Sequence, residues 1–264
     1  MPSAQFAEQV RIPDDAFIAG LDRELAARDL GERLAFIAET FGNAVLTTSL
    51  GLEDQVLSWA VSEHARSIRL ATLQTGRLFP ETVALIATTN ARFGLEIEEY
   101  LPEAADIESY KSQYGLNGFY DSVEARHACC NIRKVKPLKK ALAGADAWIT
   151  GLRRSQSDNR AHVPFAEWDE ANGLVKLNPL ADWTADAMQA AIAEHDIPVN
   201  PLHARGYPSI GCEPCTRAIR PGEPERAGRW WWENDEKREC GLHVPEASPL
   251  PNASQLPENA ATKI

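Results

Sequence analysis

"NAVLTTSLGLEDQVLSWAVSEH", residues 43–64, decides the fold. A short β-rich run leads into a loop holding Gly51, and apolar residues at helical spacing follow, which predicts a strand, a turn and an amphipathic helix beginning near Leu52. The next stretch, "SIRLATLQTGRLFPETVALIATTNARFG" (67–94), repeats that order. Further short strands fit "LEIEEY" (95–100) and "DAWITG" (146–151), and a helical stretch runs roughly from Asp121 to Leu142. Strands alternating with helices predict an α/β fold built on a parallel, twisted sheet with helices on both faces. Upstream, "DDAFIAGLDRELAARDLGERLAFIAETFG" (14–42) has the spacing of two helices, with Asp14 or Asp15 able to cap the start and Gly42 able to end it. Downstream, "AHVPFAEWDEANGLVKLNPL" (161–180) predicts two short strands around the turn Asn172-Gly173. Beyond about Leu202 the chain becomes loop-rich, and "EASPLPNASQLPENAATKI" (246–264) reads as a mobile tail.

A chain of 264 residues that is 44% hydrophobic supports one large domain with a sizeable core. Against 38 Asp and Glu stand 27 Lys and Arg, a net charge of −11, which argues against nucleic acid or an anionic membrane as partner. The start "MPSAQFAEQVRIPDD" has no continuous apolar run, and nothing approaches the roughly 20 apolar residues of a membrane span. The expectation is a cytoplasmic protein. Five cysteines form no disulfide framework in a chain of this size; in a reducing compartment an odd count points to metal or catalytic thiols.

In open parallel sheets, ligands bind beyond the carboxyl ends of the strands. "TTSLGLEDQ" (47–55) stands at such a place: Thr47, Thr48, Ser49 and Gly51 are small or hydrogen-bonding, so backbone N–H groups at the helix start can approach an anion, and Glu53 and Asp54 suit the helix dipole. Ordinary loop chemistry produces the same composition, and no Gly-Lys-Ser/Thr follows, so this is not a Walker A loop.

The cysteines are Cys129 and Cys130 in "HACCNIRKVKPL" (127–138), Cys212 and Cys215 in "GCEPCTRAI" (211–219), and Cys240 in "KRECGLH" (237–243). Adjacent side chains on a helix diverge by about 100°, which hinders Cys129 and Cys130 from sharing one small tetrahedral ion. An iron–sulfide cubane presents separated corners and takes four thiolates as its usual shell. Spacing alone leaves a four-cysteine zinc site and two buried structural cysteines open as well. Arg133, Lys134, Lys136, Lys139 and Lys140 follow the first pair, and Arg217, Arg220, Arg226 and Arg229 follow the second. A charge run is usually a solvated face; two such runs brought together make a positive field suited to an anionic ligand. "RWWWEND" (229–235) places three tryptophans in a row, read as packing of the C-terminal segment. His64, His127, His162, His195 and His203 show no ligand spacing.

With these residues in hand, the chain from about residue 30 to 243 resembles the assimilatory sulfonucleotide reductases, the PAPS/APS reductase family, on its bacterial thioredoxin-dependent side. The motifs carrying the likeness are "TTSLGLEDQ", "TGRLFPET" (75–82), "CCNIRKVKPL" (129–138), "ITGLRRSQSDNR" (149–160), "GCEPCTRAI" and "ECGLH" (239–243). The resemblance implies an adenine-nucleotide α-hydrolase-like fold with a modified pyrophosphatase loop. It implies a reductase domain over 1–243, made of N-terminal helices at 14–41, an α/β core at about 42–202 and a cluster-bearing, catalytic segment at 203–243, with a tail at 244–264. It also implies a [4Fe-4S] cluster on Cys129, Cys130, Cys212 and Cys215, and a nucleophile at Cys240. Thr48, Ser49, Gly51, Thr75, Gly76, Arg77, Gly151, Arg153, Arg154 and Arg160 would line the nucleotide site, and Lys134, Arg226, Arg229 and His243 would surround the phosphosulfate. One departure is that the family's "LDTGR" reads "LQTGR" here, with Gln74 in place of an acid.

The implied reaction is reduction of adenosine 5′-phosphosulfate (APS) to sulfite and AMP through an S-sulfonated Cys240. Lys237, Arg238 and His243 flank that residue in sequence and would favour its thiolate if they are also close to it in space. With four thiols assigned as ligands and one as nucleophile, none remains to resolve the intermediate, and the expectation is a chain without the fused redox domain of the plant type. The expected reductant is external, thioredoxin or glutaredoxin. A homo-oligomer is the family-based expectation. Rival readings are a reductase for the 3′-phosphorylated nucleotide PAPS, or for both nucleotides; an ATP-using tRNA-thiolation enzyme, whose SGGKDS-like loop residues 48–54 do not supply; and a non-catalytic iron–sulfur nucleotide sensor.

Overall fold

The computed structural model describes residues 13–157 and 160–233. Two N-terminal helices, α1 (Asp15–Ala26) and α2 (Leu30–Thr40), each start at an aspartate. Asp14 accepts a hydrogen bond from the Phe17 N–H at 2.8 Å, and Asp29 forms a reciprocal capping box with Glu32. At the other end, Phe41 turns extended and stops α2, so a left-handed Gly42 is not what ends it.

The α/β units then follow: β1 (Ala44–Thr48), α3 (Leu52–His64), β2 (Arg69–Leu73), α4 (Pro80–Phe93), β3 (Ile97–Tyr100) and α5 (Ala104–Tyr114). Pro80 starts α4, and Gly94 at φ 62 ends it in the left-handed region. The stretch expected as one helix is α6 (Val123–Cys130), a π-helical turn over Asn131–Val135, and α7 (Lys136–Ala141). After these come β4 (Ala147–Ile149), the hairpin β5 (Ala166–Asp169) and β6 (Leu174–Leu177), and α8 (Ala185–Glu194).

The six strands form one sheet in the order β3-β2-β1-β4-β6-β5. Every pairing is parallel except β5 with β6, whose turn carries Gly173 at φ 67. Alternate residues of each strand feed two separate cores, as a period of two requires. Ala44, Leu46, Leu70, Ala147, Ile149, Val175 and Leu177 join helices α1–α4 and α8 on one face. Val45, Ala71, Trp148 and Leu174 meet Leu138, Ala141 and Leu142 around α7 on the other. The inner strands β1, β4 and β6 are therefore buried on both sides, whereas the edge strands β3 and β5 carry acids and are only partly covered. No helix among the described residues is long and apolar enough to cross a membrane.

Arg33 staples the N-terminal helices to the sheet layer. Its buried guanidinium donates to the Leu25 and Pro179 carbonyls at 2.8 Å each and grips both oxygens of Asp182 at 2.7 and 2.8 Å. Because Asp182 is partly exposed, the contribution of the ion pair itself is modest, and the orphaned carbonyls dominate the loss when Arg33 is removed. Arg33→Ala is expected to lower unfolding free energy by about 2–4 kcal/mol, seen as a lower urea midpoint with an unchanged m-value.

Candidate active site

At the switch point of the sheet, where β1 is flanked by β2 on one side and β4 on the other, the strand ends open a cavity of about 230 Å³. Thr47, Thr48, Ser49 and Gly51 form its floor, Thr72 and Leu73 one side, and Trp148, Thr150 and Gly151 the other. The Trp148 indole is held by its N–H donating to Thr47 Oγ1 at 2.7 Å.

The loop after β1 is shaped by its own acid. Ser49 donates to Asp54 from its backbone N–H at 2.5 Å and from its hydroxyl at 2.7 Å, and the Gly51 N–H is directed to the same carboxylate. Burial pushes the Asp54 carboxyl up to about 6; the Ser49 hydrogen bonds oppose that rise, while the neighbouring Glu53 charge adds to it. Leu50 takes φ 63, unusual outside glycine, and is held there by burial and by its N–H donating to Thr48 Oγ1 at 3.0 Å. The amides of Ser49 and Gly51, expected to meet a ligand anion, are thus engaged by Asp54. Gly151 makes this packing possible. A Cβ there would lie 2.6 Å from Asp54 Oδ1 and 2.9 Å from Glu53 Cβ, closer than real contacts allow.

Positive charge for an anionic ligand comes instead from the far wall, where Lys134, Arg160, Arg226 and Arg229 line the cavity. The remaining basic residues of the two runs are split. Lys136 pairs with Asp106 at 2.7 Å, Lys140 pairs with Glu103, and Arg217 pairs with Glu223 at 2.8 Å, so these neutralise surface acids.

A second, smaller cavity adjoins the first and is lined by Cys129, Cys130, Cys212 and Cys215 together with Phe119 and Trp230. Three segments converge to make it. Arg133 donates from Nη1 to the Thr75 carbonyl at 2.6 Å, Thr75 Oγ1 lies 3.4 Å from Cys212 Sγ, and Glu213 N–H donates to the Arg77 carbonyl at 2.7 Å. Gly76 at φ 69 sits under the Arg133 guanidinium, where a left-handed turn favours glycine. The π turn follows directly on the vicinal cysteines, and its wider helical spacing sets where Arg133 and Lys134 project. Burial pushes the Cys215 thiol up to about 12 and raises Cys129 also, the latter opposed by Arg133.

Around that second cavity, Arg126 Nη1, Arg133 Nε, Arg229 Nε and Trp230 Nε1 are buried donors with no hydrogen-bond partner among the described residues. Among the described residues no group of three or more His, Cys, Asp or Glu side chains is arranged to hold a metal ion. The four thiols line a shared space without meeting at one point. A thiolate-bound group that is anionic and rich in acceptors suits both features, since it would answer the orphaned donors and give the thiols a reason to ionise.

Of the residues expected to line a nucleotide site, Thr48, Ser49, Gly51, Thr75, Lys134, Gly151, Arg160, Arg226 and Arg229 do line the large cavity. Gly76, Arg77, Arg153 and Arg154 do not. Arg77 lines the cysteine cavity and donates to Leu116 and Asn117. Arg153 is buried in an ion pair with Glu53 at 2.6 Å, and Arg154 donates to the Val163 carbonyl and stacks over Phe165. Cys240 and His243 lie outside the described residues. Gln74 takes a loop-bracing role in place of the family's acid, accepting from the Gly76 N–H at 3.3 Å and donating to Glu99 at 3.4 Å. Residues unforeseen from sequence are Trp148, hidden in a run that reads simply as a buried strand, and His203, whose cavity-lining ring is set by a 2.8 Å contact from Nδ1 to the Tyr207 carbonyl.

Fold and site together define a nucleotide-binding α/β protein of the adenine nucleotide α-hydrolase-like class. A sequence profile for the phosphoadenosine phosphosulfate reductase domain matches residues 43–218. The chain belongs to the PAPS/APS reductase family, on its adenosine 5′-phosphosulfate reductase branch. It is 63% identical over 240 residues to adenosine 5′-phosphosulfate reductase of Agrobacterium fabrum, covering 91% of this chain and 92% of that relative. Identity to the protein of the same name from Rhizobium meliloti is 66% over 233 residues, 88% of each chain. Among solved structures, phosphoadenylyl-sulfate reductase from Candida auris superposes with a TM-score of 0.68 at 27% identity, covering 78% of this chain and 98% of that one.

Two outcomes follow from the loop. Asp54 titrates near 6 when folded and near its ordinary 3.8 when unfolded, so the folded state holds the extra proton between those values. Stability therefore falls as pH rises from about 4 to about 6 and levels off above. Relative to Asp54→Asn, the wild type is expected to lose up to roughly 3 kcal/mol across that window, read from urea midpoints on either side of it. Gly151→Ala is expected to weaken AMP binding at least about tenfold by calorimetry, because the β4 loop must move away from Asp54.

Proposed function

We propose that the chain reduces APS to sulfite and AMP in assimilatory sulfate reduction, in the cytoplasm, with thioredoxin or glutaredoxin as the external reductant. The observation that carries this reading is a shared wall. Lys134, Cys212 and Arg229 line both the nucleotide-sized cavity and the cysteine cavity, so cationic side chains stand where a phosphosulfate and a thiolate-bound group would be neighbours. The names of relatives at 63–66% identity favour APS over the 3′-phosphorylated nucleotide. The functional unit in this reading spans residues 1–243, with 244–264 outside it, and a homo-oligomer remains the family-based expectation.

Cys129, Cys130, Cys212 and Cys215 would hold a [4Fe-4S] cluster, which when bound supplies concentrated, fixed charge beside the anionic substrate. The reacting atom is assigned to Cys240, seven residues beyond Glu233 in the sequence. Its thiolate attacks the sulfuryl sulfur of APS; the bond from that sulfur to the bridging phosphate oxygen breaks, and AMP departs with the electron pair. Lys134, Arg160, Arg226 and Arg229 offset the charge gathering on the leaving phosphate. The sulfonate is left on Cys240 Sγ. A thiolate of the external dithiol then attacks Cys240 Sγ, sulfite leaves with the electron pair, and the second thiol of the dithiol resolves the mixed disulfide. The dithiol supplies the two electrons. Small threonines and the Trp148 indole shape the nucleoside end, where binding energy positions the anhydride.

Incubating the protein with sulfur-labelled APS and no reductant is expected to place one label on Cys240 and release AMP, with no labelling of Cys240→Ala; label found on another residue overturns the assignment. Arg226→Ala is expected to lower kcat/KM for APS by roughly 10–100-fold, as loss of one charge-assisted contact implies, checked by sulfite release with a thioredoxin system.

A further inference from the structure

Arg126 lies on α6, and its Nε donates to Glu233 at 2.5 Å. The side chains are 2% and 5% exposed, so both charges are out of solvent. A buried ion pair adds little net stability, because desolvation offsets most of the attraction; what it does well is hold one arrangement. The arrangement here centres on Trp230. The guanidinium carbons of Arg126 and Arg229 each lie 4.8 Å from the Trp230 ring centroid. Trp230 is fully buried at φ 44, a backbone conformation that a bulky residue adopts only when its surroundings impose it. Its backbone N–H donates to the Cys215 carbonyl at 3.2 Å, and its backbone carbonyl accepts from the Glu233 N–H at 2.9 Å.

Among the described residues, little else seats Arg229. It reaches the Ile210 carbonyl from Nη1 at 3.3 Å and lies flush against Gly211, where any Cβ would overlap the guanidinium. Its Nε has no hydrogen-bond partner among the described residues. Stacking on Trp230 is thus a main restraint on Arg229, which among the described residues is the one arginine lining both cavities.

We infer that the Arg126–Glu233 pair is a positioning device that acts through the Trp230 ring to hold Arg229 on the wall between the two cavities. Neither Arg126 nor Glu233 lines the nucleotide cavity. With the Glu233 charge removed, Arg126 loses its anchor, the indole resettles, and Arg229 no longer meets the anionic end of the nucleotide. The inference rests on the functional reading above, in which Arg229 serves the phosphosulfate.

The test is a double-mutant cycle on APS affinity, measured by calorimetry in the Cys240→Ser chain so that no turnover intervenes. Glu233→Gln is expected to weaken APS binding about tenfold when Arg229 is present and by less than about twofold when Arg229 is replaced by Ala. Equal weakening in both backgrounds, or no weakening in the first, overturns the inference. Circular dichroism and the thermal midpoint report folding separately. If Glu233→Gln fails to fold, Arg126→Lys enters the same cycle, since lysine keeps the charge and loses the planar stack, and the same outcomes decide. APS binding by the Cys240→Ser parent that depends on Arg229 but not on Glu233 overturns the positioning role alone. Absence of APS binding in that parent overturns the functional reading, and this inference with it.

Discussion

The hydrogen bond from Arg133 to the Thr75 carbonyl, 2.6 Å long and buried, is the join on which the site depends. It links the loop after β2 to the π turn that follows the vicinal cysteines. Cys212 completes the junction by pairing in backbone register with Leu78 and contacting the Thr75 hydroxyl. Three segments far apart in the chain therefore meet at one corner of the sheet. With them come the four thiols and, on the same wall, Lys134 and Arg229. The α/β core supplies the platform, and this join decides that the nucleotide cavity and the cysteine cavity share a wall.

Charge is distributed around that wall by the same logic. The acids near the loop are already engaged: Asp54 gathers the loop's own N–H groups, and Glu53 is paired with Arg153. The cations that line the large cavity lie on the π turn and on the loops after β4 and before Trp230. A protein with a net charge of −11 can in this way present a local positive field to a small anion.

Much of this architecture was legible in the amino-acid order. The β1–α3 and β2–α4 units were, as were the two N-terminal helices with the start at Asp14 and the Asn172-Gly173 turn, because hydrophobic period and turn chemistry are local signals; α5, α8 and the Asp29 cap were not. The cysteine spacing, together with the family motifs, pointed to one grouped set of thiols, and the structure does bring Cys129, Cys130, Cys212 and Cys215 around one cavity. What could not be read was which polar groups face each other across long sequence distances. Arg153 and Arg154 stand in a motif beside the cavity, yet Glu53 and Val163 claim them. Asp54 reads as a helix-dipole residue, and only the folded loop reveals it as the acceptor that the loop is wound around. The π turn likewise has no period of its own to betray it, since one widened turn inside a helical stretch leaves the apolar pattern nearly unchanged.

The central claim is that occupants of the two cavities feel each other across Lys134, Cys212 and Arg229. Mössbauer spectra of iron-57-loaded protein, prepared anaerobically and recorded with and without saturating APS, test it most directly. The account expects a four-iron signal whose parameters shift when APS binds. A spectrum unchanged by bound APS, or protein that reduces APS fully while holding no iron, would contradict it.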